Sequence, residues 1–214
     1  MKFLSYLLNS ETPTYGNRNR FEIEKKSSIL NGDVANDSSI STTTHIGTHL
    51  DMPFHFHQNG QTITDFSADF WFFNQPIFIE IQPKDFLIYD DVIEQLEKIN
   101  ERDSDILIIK TGICHFREEE KFWKENYGFS EKLYDYLISN FPKIRIIGFD
   151  SISISSFQNR IEGRKAHKKF LNPEKPILIL EDMDLRNVKT LSKIFVSPLR
   201  IENSDGIPCT VFGE

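Results

Sequence analysis

"KIRIIGFDS", residues 143–151, sets three isoleucines and a phenylalanine between a basic start and a polar Asp–Ser exit. A β-branched run this short, closed by Gly148 and Asp150, reads as a buried strand. On its N-terminal side "SEKLYDYLISN" (130–140) has helical spacing, with Ser130 placed as its N-cap. Before that helix lies a second strand-like run, "DILIIK" (105–110), and before it "DVIEQLEKINE" (91–101), with Val92, Leu96 and Ile99 on one helical face. "PIFIEI" (76–81) begins the series. On the C-terminal side "EGRKAHKKFL" (162–171) is helical in pattern and "PILILE" (176–181) is a fourth strand. Strands alternating with helices imply a mostly parallel core with helices packed on it. Residues 1–60 and 194–214 carry shorter pieces and turns such as "NSDGIP", so extra β structure is expected around that core. The expected architecture is one α/β domain over 1–214, a mixed and partly parallel β core flanked by helices.

In open α/β sheets ligands lie beyond the carboxyl ends of the strands. Three polar exits fall there, "KTG" (110–112), "FDS" (149–151) and "LED" (180–182), which singles out Thr111, Asp150 and Glu181. Polar strand ends without function are common, so position alone decides nothing.

Composition narrows the class. The 214 residues are 39% hydrophobic and 13% aromatic with nineteen Phe, enough for a substantial core and too apolar for a disordered chain. A formal net charge of −7 argues against nucleic acid as partner, since binding it needs a clustered basic face. Arg164, Lys165, Lys168 and Lys169 read as the solvated side of a helix. Cys114 and Cys209 form no CxxC pair, as expected of reduced thiols in the cytoplasm. The opening "MKFLSYLLNSETPTYG" lacks the apolar length of a signal peptide, and no run approaches the roughly 20 residues of a membrane span. A cytoplasmic protein with no membrane partner is expected.

Four of the six histidines fall within "STTTHIGTHLDMPFHFHQNG", residues 41–60. His45, His49, Asp51, His55 and His57 are all odd-numbered, while Ile46, Leu50, Met52, Phe54 and Phe56 are all even. In an extended chain this parity buries the apolar set and points the imidazoles and the carboxylate one way. A straight strand would nevertheless hold His45 and Asp51 roughly 20 Å apart. The segment must therefore bend, at Gly47 and Pro53, if both are to meet one ion. Imidazole with carboxylate suits zinc, manganese or iron(II). A hydrogen-bonded cluster of surface histidines remains the other reading of these residues.

"HIGTHLDMPFHF" resembles the H-x-G-T-H-x-D-x-P-x-H signature of the cyclase family, to which bacterial kynurenine formamidases and isatin hydrolases belong. The likeness extends through "LSYLLNSETPTYG", "ILIIKTG", "IIGFDSISIS", "AHKKFL…PILILEDMDL" and "PLRIENSDGIP", most of the chain. It implies the family's swivelling β/β/α fold and a metal held by His45, His49 and Asp51, completed by His167 and Glu181. Some members hold two zinc ions bridged by the aspartate, and isatin hydrolases use manganese. One or two divalent ions are thus implied here, zinc first and manganese second. His55, the last histidine of the signature, is implied as proton donor and acceptor. His57 falls outside the signature, and His115 reads as a capping or packing residue. The family also implies a homodimer or homotetramer.

The expected function is metal-dependent hydrolysis of a small-molecule amide. An aryl formamide such as N-formylkynurenine, cleaved to kynurenine and formate, comes first. An isatin-like lactam, or the reverse cyclisation, is the second enzyme reading, and a metal-stabilised binding protein without turnover is the third. No G-x-S-x-G elbow suggests a nucleophilic serine. Phe54, Phe56, Phe66 and "DFWFF" (69–73) are candidates for an aromatic substrate wall, each being also an ordinary core residue. Two departures from the family, "DSISIS" after Phe149 and Thr210 where relatives place arginine, fall near the expected pocket.

Overall fold

The computed structural model describes residues 1–214. Its strands are β1 (Lys2–Phe3), β2 (Glu22–Ser27), β3 (Asp37–Ser41), β4 (His49–Asp51), β5 (Phe72–Phe73), β6 (Pro76–Glu80) and β7 (Leu87–Ile88). They continue with β8 (Ile106–Lys110), β9 (Gly128–Phe129), β10 (Ile146–Phe149), β11 (Leu178–Glu181), β12 (Ile194–Pro198) and β13 (Gly206–Gly213). The helices are α1 (Asp90–Leu96), α2 (Lys121–Lys124), α3 (Lys132–Asn140) and α4 (Arg160–Phe170).

The four Ile-rich runs form β6, β8, β10 and β11, which pair in parallel in the order β11-β10-β8-β6. Antiparallel strands extend this core to give the order β5-β12-β13-β4-β11-β10-β8-β6, with β1 beside β13. The two ends of that order, β5 and β6, are separated in the chain only by Asn74 and Gln75. A two-residue link cannot cross an open eight-strand path, so the sheet curls until its ends nearly meet. Arg145 and Asp105 fasten the seam: the Arg145 guanidinium donates to the Phe70 and Phe72 carbonyls, and Asp105 accepts from the Asn74 and Gln75 N–H groups.

Period two then sorts the side chains into two cores. Leu50, Ile106, Ile108, Ile146, Leu178, Leu180 and Ile207 fill the inside of the curl. Ile77, Ile79, Leu107, Ile109, Ile147, Phe149 and Ile179 face outward and are covered by Val92, Leu133, Leu137, Ala166 and Phe170 of α1, α3 and α4. Val92 and Leu96 are buried as the helical spacing predicts. Ser130 lies one residue before the actual cap of α3, its hydroxyl accepting the Lys132 N–H at 3.3 Å. The separate hairpin β2–β3 exposes Ile23 and Ile40, and its connection exposes Leu30 and Val34. No helix is long and apolar enough to cross a membrane.

Candidate metal centre

β4 lies in the middle of the sheet, antiparallel to both β11 and β13. Its register sets His49 opposite Glu181 and Asp51 opposite Ile179, and cross-strand partners point to the same face. His49, Asp51 and Glu181 therefore emerge together on the helix-covered side, where α4 brings His167 down on them. His167 Nε2 is 3.3 Å from Asp51 Oδ2 and 3.9 Å from Glu181 Oε1. His49 Nε2 is 3.4 Å from both Asp51 Oδ1 and Glu181 Oε2. All four residues are buried.

Strict alternation covers only residues 49–51. Gly47 takes φ +59°, where a side chain would also overlap Leu8, and Pro53 opens a 3₁₀ turn over Pro53–His55. These two bends replace the long extended segment and carry His45 back to Asp51, with Nδ1 2.7 Å from Oδ1. Leu50 and Met52 are fully buried, whereas Phe54 and Phe56, beyond the second bend, are only half-buried.

The ring nitrogens test whether this donor set suits a cation. His49 Nδ1 is 2.7 Å from the Gly47 carbonyl and His167 Nδ1 is 2.9 Å from the Gly163 carbonyl. A carbonyl only accepts, so both Nδ1 atoms carry hydrogen and both rings turn Nε2 towards carboxylate oxygens. Neutral rings would thus aim lone pairs at anions with nothing positive between them. A divalent ion resolves that conflict, and backbone carbonyls holding the far nitrogen are the usual support of ligating histidines. Four buried donors of imidazole and carboxylate type fit zinc or manganese. Glu181 is itself held by the Ile154 N–H at 2.7 Å and the Ser153 hydroxyl at 3.2 Å. Gly163 lets α4 approach this loop, because a Cβ there would overlap Ser155.

The electrostatics divide the carboxylates. Burial works against ionisation of Asp51, but the His45 charge, and next the close approach of the His167, His45 and His49 rings, hold it well below the usual carboxylate range. Burial, and next the Asp51 charge, push Glu181 well above it. His45 loses by burial and gains more from Asp51 and Asp205, which raise it to about 10.

His55 stands beside this group, its ring 4.0 Å from that of His45 and 6.0 Å from that of His167, centroid to centroid. A second group of three possible ligands, His45, Asp51 and His55, shares Asp51 with the first, His49, Asp51 and Glu181. His57 lies outside both, its Nε2 donating to the Lys168 carbonyl. His115 is exposed. Asp150 is absorbed elsewhere: it accepts from the Thr111 N–H and hydroxyl, both at 2.8 Å, and from the Gly112 N–H at 2.9 Å. It clamps the turn after β8.

These side chains open into a cavity of about 350 Å³. Of the expected aromatic wall only Phe56 reaches it, stacked on the His167 ring at 4.6 Å. Phe66, Phe70, Trp71 and Phe73 pack on the inner core instead, because the sheet seam turns them inward. Tyr15 and Asn19, from the N-terminal segment, also line it. Ile152, Ser153 and Ser155 of the "DSISIS" departure do line the cavity, whereas Thr210 is exposed away from it. Asp205, which the sequence presents only as part of a turn, accepts from His45 Nε2 at 3.1 Å and His55 Nδ1 at 3.2 Å.

Comparison with known proteins bears on this constellation. The family described as "Putative cyclase" matches residues 3–156. "Cyclase-like protein 2" of Arabidopsis thaliana is 28% identical over 187 residues, covering 85% of this chain and 66% of that protein, so the chain spans about two thirds of the plant relatives' length. "Kynurenine formamidase" of Bacillus cytotoxicus is 23% identical over 215 residues, covering 96% and 92%. Isatin hydrolase A from Ralstonia solanacearum superposes with a TM-score of 0.81 at 17% identity, over 99% of this chain and 90% of that one.

Proposed function

Because this chain belongs to the cyclase family, we propose that it is a metal-dependent hydrolase of a small aryl formamide or cyclic amide. The observation that carries the proposal is the convergence of His49 and Asp51 with His167 and Glu181, more than a hundred residues later, in one buried cluster that opens on the cavity. His49, Asp51, His167 and Glu181 would hold the ion, with His45 beside Asp51 as a further ligand where a second is bound. A bound divalent cation supplies Lewis acidity, which polarises an amide carbonyl and makes a water nucleophilic near neutral pH.

The chain's own residues supply the rest. Asp51, and Glu181 once it gives up the proton that burial and Asp51 favour, would supply the negative charge that retains the ion. Phe56 and Tyr15 supply aromatic lining for a ring, and a cavity at the small end of ligand pockets suits a single small aromatic amide. His55 moves the proton from water to the departing nitrogen, a task for which histidine is well matched. An aryl formamide is placed first because the Bacillus cytotoxicus relative is a kynurenine formamidase matched over nearly its whole length. A lactam of the isatin type is placed second, on fold likeness.

Assembly as a homodimer or homotetramer belongs to the same proposal. It is supported by the exposed Ile23, Leu30, Val34 and Ile40 of the β2–β3 hairpin, since an isolated two-stranded hairpin is marginal in water. Light scattering of the purified protein tests it.

The decisive experiment is elemental analysis of the purified protein alongside turnover of N-formylkynurenine, isatin and simple amides. His55→Ala is expected to keep the metal and lose hydrolysis by about 10²–10⁴-fold. Full metal content with no turnover of any amide by the wild type would leave a metal-stabilised binding protein and end the hydrolase proposal.

A further inference from the structure

We propose that Asp205 is the positioning residue for His55, fixing its ring as the Nδ1–H tautomer so that Nε2 is the atom exchanging protons with the substrate. The tautomer follows from geometry, while the step it serves rests on the hydrolase function proposed above.

Asp205 Oδ2 lies 3.2 Å from His55 Nδ1 and 3.1 Å from His45 Nε2, and Oδ1 accepts the Thr44 hydroxyl at 3.0 Å. A carboxylate only accepts, so each ring donates to it. His45 meets a second carboxylate through its other nitrogen, Nδ1 being 2.7 Å from Asp51 Oδ1. His55 has no such second partner in the chain, which leaves Nε2 free beside the cavity. The side chain of His55 is 29% exposed, so substrate can reach it.

The backbone makes Asp205 a fixed support. Its carbonyl accepts the Met52 N–H at 3.0 Å, and Gly206 pairs with Asp51 in the β4–β13 register. The carboxylate is therefore tied to the strand carrying Asp51, one residue before the Pro53 turn that carries His55. Only glycine serves at 206, since a Cβ there would overlap the His45 ring.

In the reaction, Nε2 takes a proton from the attacking water as the new C–O bond forms. It then returns that proton to the amide nitrogen, which receives the electron pair of the breaking C–N bond. Between these transfers His55 is an imidazolium, and Asp205 faces its Nδ1–H throughout. The arrangement has the same logic as a carboxylate that orients a catalytic histidine in an acyl-transfer triad, where losing it through the wrong tautomer costs about 10⁴-fold.

The test uses the zinc-loaded protein and its Asp205→Asn variant, read by kinetics, metal content and ¹⁵N spectra of the histidine rings. The expected result is a neutral His55 protonated at Nδ1 in the wild type and no longer held in that form alone in Asp205→Asn. With it, kcat should fall by roughly 100-fold or more while KM stays within about twofold and zinc content is unchanged. Thr44→Val, which frees one carboxylate oxygen, should lower kcat several-fold in the same direction. Nε2 protonation in the wild type, an unchanged ring spectrum or kcat in Asp205→Asn, or loss of zinc from that variant would each overturn the proposal. Should the wild type hydrolyse no amide, the hydrolase function fails, and the ring spectra alone decide the role of Asp205.

Discussion

Glu181→Gln separates a metal centre from a hydrogen-bonded histidine cluster, because the two call for opposite changes in stability. The side chain of Glu181 is 4% exposed, and its ligating oxygen lies within 4.8 Å of the His49 ring nitrogen and the Asp51 carboxylate oxygen. At an effective dielectric of about 20, two like charges no more than 4.8 Å apart repel by about 3.5 kcal/mol or more. His45, charged between Asp51 and Asp205, offsets part of that, leaving about 1–2 kcal/mol of strain in the metal-free chain. Glutamine keeps the acceptor that holds the Ile154 N–H and Ser153 hydroxyl, and it presents an amide N–H towards His49 Nε2. The metal-free variant should therefore melt higher than the metal-free wild type, by about 2–8 °C for a chain of this size.

With metal the sign reverses. A saturating ion at 1,000 times Kd stabilises the wild type by about 4 kcal/mol, whereas a variant binding 100-fold more weakly gains only about 1.4 kcal/mol at the same concentration. Thermal melts of chelated, zinc-loaded and manganese-loaded samples of both proteins measure all of these terms. A metal-free variant that melts below the metal-free wild type, with no metal-dependent shift in either, would refute the reasoning and leave the cluster as structural hydrogen bonding.

Gly206→Ala should cost about 1–3 kcal/mol in urea denaturation, as overpacking does, and should lower kcat because the His45 ring and Asp205 must move together. Asp150→Ala removes a fully buried acceptor from the Thr111 and Gly112 donors. It should lower stability by about 3 kcal/mol or more while metal content per folded chain stays unchanged. Loss of metal from Asp150→Ala at full folding would move that residue into the centre.

The parallel core was legible because each of its strands is a short run that nothing but burial explains: Ile106–Lys110, Ile146–Phe149 and Leu178–Glu181 are each followed at once by a polar residue, Thr111, Asp150 and Asp182, with helical spacing beside them. The closure of the sheet was not, since it depends on the Asn74–Gln75 link between strands that the local pattern presents as unrelated. Period two located His49 and Asp51, and the bends expected at Gly47 and Pro53 are where the extended backbone ends, which takes His45 and His55 off the strand. His167 reads locally as one polar position among the lysines of a helix, and only its likeness to a family pattern paired it with Glu181.

Asp205 shows where local reading stops. "NSDG" is turn composition, and Asn203 indeed adopts a positive φ of 59°. What converts this turn into part of the site is the pairing of Gly206 with Asp51, across more than 150 residues of chain. Pairing at that distance is selected by the whole sheet, through Leu50 and Ile207 burying together on the inner face, and no property of the turn itself encodes it. A one-residue slip of β13 would send Ile207 to the metal face and carry the Asp205 carboxylate away from His55. The apolar alternation of β13, rather than any polar residue near it, thus sets the position of the carboxylate on which the His55 tautomer depends.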